Sequence, residues 1–517
     1  MALRWPSRPV SFEVWLVCLA AIALILRCLP LLQASSPLDS ADYDEGVYFG
    51  GAALLANGHW PYQDYVILHP PGIEILLAPV AALGSAAGML DSAFVFARWL
   101  SPLVAIGNVV LVGALARRWV GARAGLVAAA VYATAPVAVA TEAQIMLEPY
   151  LTLLSLVMAA VFLRPGAERP SLRHCTAAGV LCGLAIAVKL WGILILVGCL
   201  VSLPLRGSMR HRLLLLAGAG CTVAVVFLPF LIAAGFEPVL EQVVRTQLNR
   251  PPDGEQSLLI RGFRMVGGGP VSGSFSADLV GAVALLAAGV TAGWAWIRGG
   301  MHGRFWASWL LLAAGSFLAA PSFYFHYAAF LAAPAAVLIG WVAVSALNHV
   351  SDRPRGVRAA TAAAVVAVPA LSFALVLKKD LERRTGPDPR PSLMAAVPAE
   401  SCLYTETPAI GLSIGRLPPD VPGAGIFLSP FGVAQFQAGS RAGSFSSTTA
   451  LILSPPVQKI YRTALGTCPY VALGTDPGEN GDWSTETRAY FTRRYARLAP
   501  APGKITVWRR KARAEGN

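Results

Sequence analysis

The chain has 517 residues, 56% apolar and only 13% charged, with a mean hydropathy of +0.59. Soluble domains carry about a quarter charged residues, so the composition excludes a soluble globular protein and points to an integral membrane one. The formal net charge of +13 ordinarily suggests nucleic acid or an anionic surface, but here Lys and Arg sit in short clusters between apolar runs, which is the pattern of membrane orientation and sets nucleic-acid binding aside.

Crossing a bilayer takes about 20 apolar residues, and Lys and Arg collect in cytoplasmic turns. The apolar runs predict eleven spans: 12–33, 93–116, 124–140, 150–163, 176–188, 191–205, 213–234, 278–297, 305–320, 328–347 and 359–377. With that number, the basic clusters Arg4/Arg8, Arg117/Arg118/Arg123, Arg164/Arg169/Arg173, Arg206/Arg210/Arg212, Arg298/Arg304 and Arg353/Arg355/Arg358 all fall on one side, the cytoplasm. The N-terminus is then inside and the C-terminus outside. The first run reads as an uncleaved signal-anchor rather than a cleaved secretory signal, because Arg27 interrupts it and more spans follow. Residues 73–90 are apolar enough to cross, but counting them would move Arg117, Arg118 and Arg123 outside, so they read as an interfacial or re-entrant segment. Basic clusters flank 176–205 on both sides, so the chain is expected to turn near Lys189 and Trp191 between two short half-spans.

On the outer side, residues 34–92 hold Asp39, Asp42, Asp44, Glu45, Asp64, Glu74 and Asp91 with no Lys or Arg. Like charges as close as Asp42, Asp44 and Glu45 need a cation, a proton or a cationic substrate. His69-Pro70-Pro71-Gly72 closes this loop. The next outer turn adds Glu142 and Glu148, the turn at 235–276 carries Arg245, Arg250, Arg261 and Arg264, and a later one holds Tyr324, His326 and Tyr327. Acidic and basic loops on one face suit a phosphate-bearing substrate held beside carboxylates.

Past residue 377 the composition becomes soluble-like. Residues 1–377 read as a transmembrane domain with its catalytic loop at 34–92, 378–391 as a linker, and 392–517 as a small extracytoplasmic α/β domain. Short β-type runs occur at Cys402–Thr405, Leu451–Leu453, Tyr470–Leu473 and Ile505–Arg509, and 485–498 reads as an amphipathic helix. Of eight cysteines, six lie in or beside apolar runs as small hydrophobes, none in metal-type spacing, while Cys402 and Cys468 in the tail are either a disulfide or two free thiols.

The acidic first outer loop around Asp44-Glu45, the His-Pro-Pro-Gly closure and a carboxylate in the second outer turn together resemble the GT-C superfold of lipid-dependent glycosyltransferases: protein O-mannosyltransferases, the lipid A aminoarabinose transferase and oligosaccharyltransferase catalytic subunits. The resemblance runs from about residue 12 to 200 and more loosely to 377. It implies an α-helical polytopic membrane protein of the cytoplasmic membrane, with its active site and C-terminal domain extracytoplasmic. The donor would be a polyprenyl-phosphate-linked sugar and the acceptor a cell-wall glycan, glycolipid or protein. By position, Asp44 matches the acceptor-side carboxylate and Glu45 its neighbour. His69 to Gly72 match the segment beside the lipid phosphate, Glu148 the second acidic position (usually Asp), and Lys189 a basic residue after the fifth span.

That assignment is chemically coherent. An acceptor hydroxyl needs a carboxylate to take its proton, and the departing phosphate needs cations, for which Lys189, His69, Arg245 and Arg250 are candidates. One base and a phosphate leaving group suit a single displacement with inversion, without the paired carboxylates of glycosidases. A divalent cation, Mg or Mn, bridging Asp44, Glu148 and the phosphate is compatible but not required by the sequence. Each residue also has a plainer role. Asp42, Asp44 and Glu45 suit a solvated loop or a helix N-cap, and His69 a turn. Glu148 suits a helix start, Lys189 an interfacial snorkel, Arg245 and Arg250 solvated charges, and Tyr324, His326 and Tyr327 an aromatic belt rather than sugar contacts. Two rival functions remain at this level: a transporter or flippase for a lipid-linked glycan, and an inactive GT-C scaffold.

Overall fold

The computed structural model describes residues 11–39, 42–164, 169–204, 207–252, 257–269, 274–381, 386–474, 477, 482–500 and 505–512; Arg4, Arg8 and Arg206 lie outside them. The first ten helices are α1 (Phe12–Gln33), α2 (Tyr43–Ala56), α3 (Gly72–Ala86), α4 (Leu90–Trp119), α5 (Ala122–Thr134), α6 (Pro136–Glu142), α7 (Leu147–Phe162), α8 (Leu172–Val188), α9 (Gly192–Ser202) and α10 (Met209–Ala234). Long helices follow at Phe275–Arg298, Gly300–Ala319, Ala329–His349 and Arg355–Leu381. Each of the eleven expected spans falls on helix. Among the described residues, six helices are long and apolar enough to cross alone, or seven if α5 and α6, bent by 60° at Ala135, form one broken span. Proline at the first position of α6 fits that break, since it lacks the N–H that an interior position would need. The chain is a multi-pass membrane protein.

α3 is a separate helix of 15 residues, shorter than a span, opening directly after Pro71. α8 ends at Val188 and α9 starts at Gly192, with Lys189, Leu190 and Trp191 forming the turn. Outward faces are apolar, as lipid requires: Val14, Val17, Ile25 and Leu32 on α1 and Val366, Leu371 and Leu375 on Arg355–Leu381 are exposed.

Ion pairs are buried inside this apolar body. Arg27 is fully buried and bonds Glu142 through Nε at 2.7 Å, while Asn108 and Tyr132 donate to the other carboxylate oxygen at 2.8 and 2.6 Å. Arg98, in the middle of α4, forks onto Glu45 at 2.9 and 2.6 Å, and both are buried. The same carboxylate accepts the backbone N–H groups of Asp42 and Ile145 at 3.1 and 2.9 Å. Asp42 and Glu45 thus form the capping box of α2.

The C-terminal part contains a four-stranded sheet in the order β1-β4-β6-β5 from β1 (Leu403–Thr405), β4 (Tyr470–Leu473), β5 (Tyr495–Pro500) and β6 (Thr506–Arg510), plus a two-stranded pair of β2 (Asp420–Val421) and β3 (Gly425–Ile426). β1 runs parallel to β4, with Leu403 opposite Tyr470, and the other pairs are antiparallel. Cys402 and Cys468 form a disulfide. Two expectations are corrected. Leu451–Leu453 is not a strand; Ser447 caps a helical turn over Thr448–Ile452, and Pro455 starts the next helix. The helix expected over 485–498 stops at Arg494, because Tyr495 onward pairs with β6.

Removing one partner of a buried ion pair leaves an uncompensated charge. Arg98→Met should therefore lower stability by about 3–5 kcal/mol, seen as a reduced thermal midpoint of the detergent-solubilised protein, and adding Glu45→Gln should recover part of the loss. An unchanged midpoint in Arg98→Met would show that the pair does not hold α2 to α4.

Candidate active site

The loop between α2 and α3 is pinned through its backbone. Tyr62 donates its phenol to the His69 carbonyl at 2.7 Å, Gln242 accepts from Ile67 N at 3.1 Å and donates to Tyr62 O at 3.0 Å, and Gln247 donates to Leu68 O. Gly72 ends the loop against the last turn of α8, where a Cβ would lie 2.5 Å from the Ala187 carbonyl oxygen. Only glycine lets the His69–Pro71 segment sit that close to the α8–α9 turn. At the other end, Gly46 of α2 abuts the backbone of Ala409, 2.4 Å from where a Cβ would stand. The loop itself meets the C-terminal part at Asp64, whose carbonyl accepts from Ile426 N at 2.8 Å.

Beside this loop lies a cavity of about 530 Å³. Asp42, Asp44, His69, Lys189, Arg250, Tyr324, His326 and Tyr327 all line it. Asp44 accepts from the Tyr48 phenol at 3.5 Å and stands 3.8 Å from His326 Nε2. Lys189 is buried, bonds Glu148 at 2.6 Å, and lies over the rings of Trp191 and Tyr327, 3.8 and 4.5 Å from their centroids. Glu148 also lies 3.9 Å from His326. Arg250 donates to the Tyr327 phenol at 2.9 Å and stacks between Tyr324 and Phe431 at 5.5 and 5.6 Å. Burial and the neighbouring Asp44 raise the Asp42 carboxyl above its ordinary value. Burial, with Lys189, Arg250 and His326 nearby, pushes His69 well below the usual histidine range and keeps it neutral.

Two further chambers adjoin it. One of about 470 Å³ shares Leu68, His69, Lys189, Arg250 and Tyr327 with the main cavity, and the rest of its wall is largely apolar, including Leu190, Trp191, Val243 and Leu248. The other, of about 440 Å³, shares Asp42, Phe325 and His326 and runs toward Thr141, Gln144, Leu375 and Lys379.

Two candidates are placed elsewhere. Glu45 is buried and committed to Arg98 and the α2 cap. Arg245 is on the surface, paired with Glu237 and with Glu241 at 3.3 Å one helical turn away. Conversely, Tyr48 and a set from the C-terminal part, Ser429, Phe431, Thr448 and Asp482, line the cavity without having been singled out, alongside Arg264 of the basic outer turn. Tyr43 binds Ser429 at 3.0 Å. Tyr48 was detectable, since it stands four residues after Asp44 on the same helix face; nothing local marked the C-terminal residues. A cation bridging Asp44 and Glu148 does not fit this donor set. Glu148 is taken up by Lys189, and among the described residues no three His, Cys, Asp or Glu side chains are grouped to hold a metal.

A histidine whose folded-state pKa is depressed supports the fold above its unfolded value of about 6.5 and loses that support as pH falls. The thermal midpoint should therefore drop as pH is lowered from about 6.5 toward 5, and His69→Gln should flatten that slope. Equal slopes in both proteins would contradict the buried, neutral His69.

Residues 69–232 match the family model described as dolichyl-phosphate-mannose-protein mannosyltransferase. No curated protein matches the sequence significantly. Among solved structures, ArnT from Cupriavidus metallidurans bound to undecaprenyl phosphate is similar with a TM-score of 0.57 and 17% identity, over 98% of this chain and 99% of that one. Its apo form gives 0.58 and 16%, over 96% and 98%. The archaeal oligosaccharyltransferase AglB from Archaeoglobus fulgidus, in complex with an inhibitory peptide and a dolichol-phosphate, gives 0.54 and 15%, over 89% of this chain and 69% of that one. Likeness at these identities is likeness of fold, and it extends through the C-terminal part. The chain has the GT-C fold of lipid-dependent glycosyltransferases.

Proposed function

We propose that this protein moves a monosaccharide from a polyprenyl-phosphate donor to an acceptor outside the cytoplasmic membrane, with inversion at the anomeric carbon. The observation that carries this reading is the junction of a largely apolar chamber with a polar cavity at His69, Lys189 and Arg250. A polyprenyl phosphate needs such a junction: apolar wall for its tail, cations for its phosphate. The family match and the fold shared with proteins whose structures hold undecaprenyl phosphate or dolichol-phosphate support the same donor class.

In this reading Lys189 and Arg250 take the phosphate and stabilise the charge that develops as it departs. Glu148 holds the Lys189 ammonium in place. Asp44, in the same cavity and accepting a bond from Tyr48, is the general base for the acceptor hydroxyl. One base, one displacement and a phosphate leaving group give inversion. The acceptor is a cell-wall glycan, a glycolipid or a protein, and the distribution of Lys and Arg supports a cavity on the extracytoplasmic side.

Two measurements test this. A reporter active only outside the cytoplasm should be active when fused to the C-terminus; activity of a cytoplasmic reporter there would reverse the side of the site. Membranes containing the protein should transfer label from one member of a panel of radiolabelled polyprenyl-phosphate sugars. Asp44→Asn should slow that transfer by about a hundredfold to ten-thousandfold, with binding of undecaprenyl phosphate retained. Near-normal transfer in Asp44→Asn would remove the base assignment.

A further inference from the structure

The reaction leaves a proton on the base and a doubly charged phosphate in the cavity, and both must be discharged before the next turnover. Tyr48 is 1% exposed, yet its phenol oxygen lies 3.5 Å from Asp44 Oδ2 and 3.5 Å from His69 Nε2. Its ring meets the His69 imidazole edge-on, with centroids 5.5 Å apart. His69 in turn lines both the main cavity and the chamber shared with Lys189 and Arg250.

We propose that Asp44, Tyr48 and His69 form a proton relay that carries the acceptor's proton from the base to the departing phosphate. This rests on the glycosyl-transfer reading above. As the acceptor oxygen bonds to the anomeric carbon, its proton passes to Asp44. The carbon–phosphate-oxygen bond breaks and its electron pair stays on the phosphate. The protonated Asp44 then donates to the Tyr48 oxygen while Tyr48 donates its own proton to His69 Nε2, and the imidazolium gives a ring proton to the phosphate. No proton is gained or lost overall, and the ring returns to its starting tautomer by exchange with water after product leaves.

Three features suit His69 to this. Its neutral ring offers Nε2 as an acceptor in the Nδ1–H tautomer. Lys189 and Arg250, the cations facing it, make the imidazolium short-lived, so it passes the proton on rather than storing it. Asp44 lies at the phenol on α2 itself, and Asp42 caps that helix. The two 3.5 Å separations are long, as hydrogen bonds of an empty catalytic site commonly are before substrate tightens them. Tyr48 is accordingly a positioning residue: it acts through Asp44 and His69 and keeps them from bonding only to water.

Tyr48→Phe removes one oxygen and leaves the ring packing. With the radiolabelled undecaprenyl-phosphate sugar that turns over in the panel, it should lower kcat about tenfold to hundredfold, a partial loss of acid–base assistance, with the donor KM unchanged. Added imidazole should restore part of the rate. Tyr48→Phe combined with His69→Gln should be no slower than the slower single variant, since residues acting as one unit are not additive. In the unaltered protein, the rate plotted against the fraction of D2O should curve, because more than one proton moves. Full kcat in Tyr48→Phe with Asp44→Asn inactive overturns the relay and leaves the enzyme reading standing. A raised KM, multiplying losses and no rescue by imidazole would make Tyr48 a packing residue only and also overturn it. Should Tyr48→Phe fail to fold, a linear D2O plot in the unaltered protein overturns the relay by itself. Asp44→Asn at full rate removes the base, and the relay with it.

Discussion

Lys189 and Glu148 face each other at 2.6 Å, and both are buried. Taking either charge out of water alone would cost several kcal/mol, so neither can be where it is without the other. That requirement recurs at Arg27–Glu142 and Arg98–Glu45, and each pair ties together elements far apart in the chain. Arg98 fixes the start of α2, and with it the direction in which Asp44 leaves the helix. Glu148 fixes the ammonium at the α8–α9 turn. The cavity is thus framed by charges that neutralise each other, and the groups left facing into it are those on which a substrate can act.

Much of this was legible in sequence because it followed from two strong signals. Runs of about 20 apolar residues and the placement of Lys and Arg located the helices, and the absence of Lys and Arg from 34–92 marked the acidic loop. What sequence could not supply was which acidic residue met which basic one. Glu45 and Asp44 are adjacent, yet Glu45 turns to Arg98, 53 residues on, and Asp44 turns to the cavity. Arg245 and Arg250 are equally plausible phosphate ligands by position. One forms a surface pair with Glu241 a helical turn away, and the other stacks on Tyr324 and Phe431.

The C-terminal part was the least legible. Gly46 lets α2 press against Ala409, Tyr43 reaches Ser429, and Phe431 forms one face of the Arg250 stack. No local pattern announces a residue whose role is to complete a wall made mostly by other elements. The error over 485–498 has the same origin, since the helical period runs on past Arg494 while pairing with β6 takes the backbone from Tyr495. In both places tertiary partners decided what propensity left open.

The α8–α9 turn shows why irregular backbone stands where it does. At about 1.5 Å per residue, the 17 residues of α8 and 11 of α9 are each too short to cross about 30 Å of hydrocarbon. Ending a helix at that depth would ordinarily strand backbone N–H and C=O groups in lipid, which is tolerated only where the break is buried in protein or opens on a polar space. Here the His69–Gly72 segment covers the end of α8, and Lys189 closes the turn against Glu148 at the edge of the cavity. A continuous helix would satisfy its own backbone but would carry residue 189 past the cavity. The break therefore does two things at once: it brings an ammonium to a fixed point beside the acidic loop, and it relies on that loop to shield the backbone it exposes.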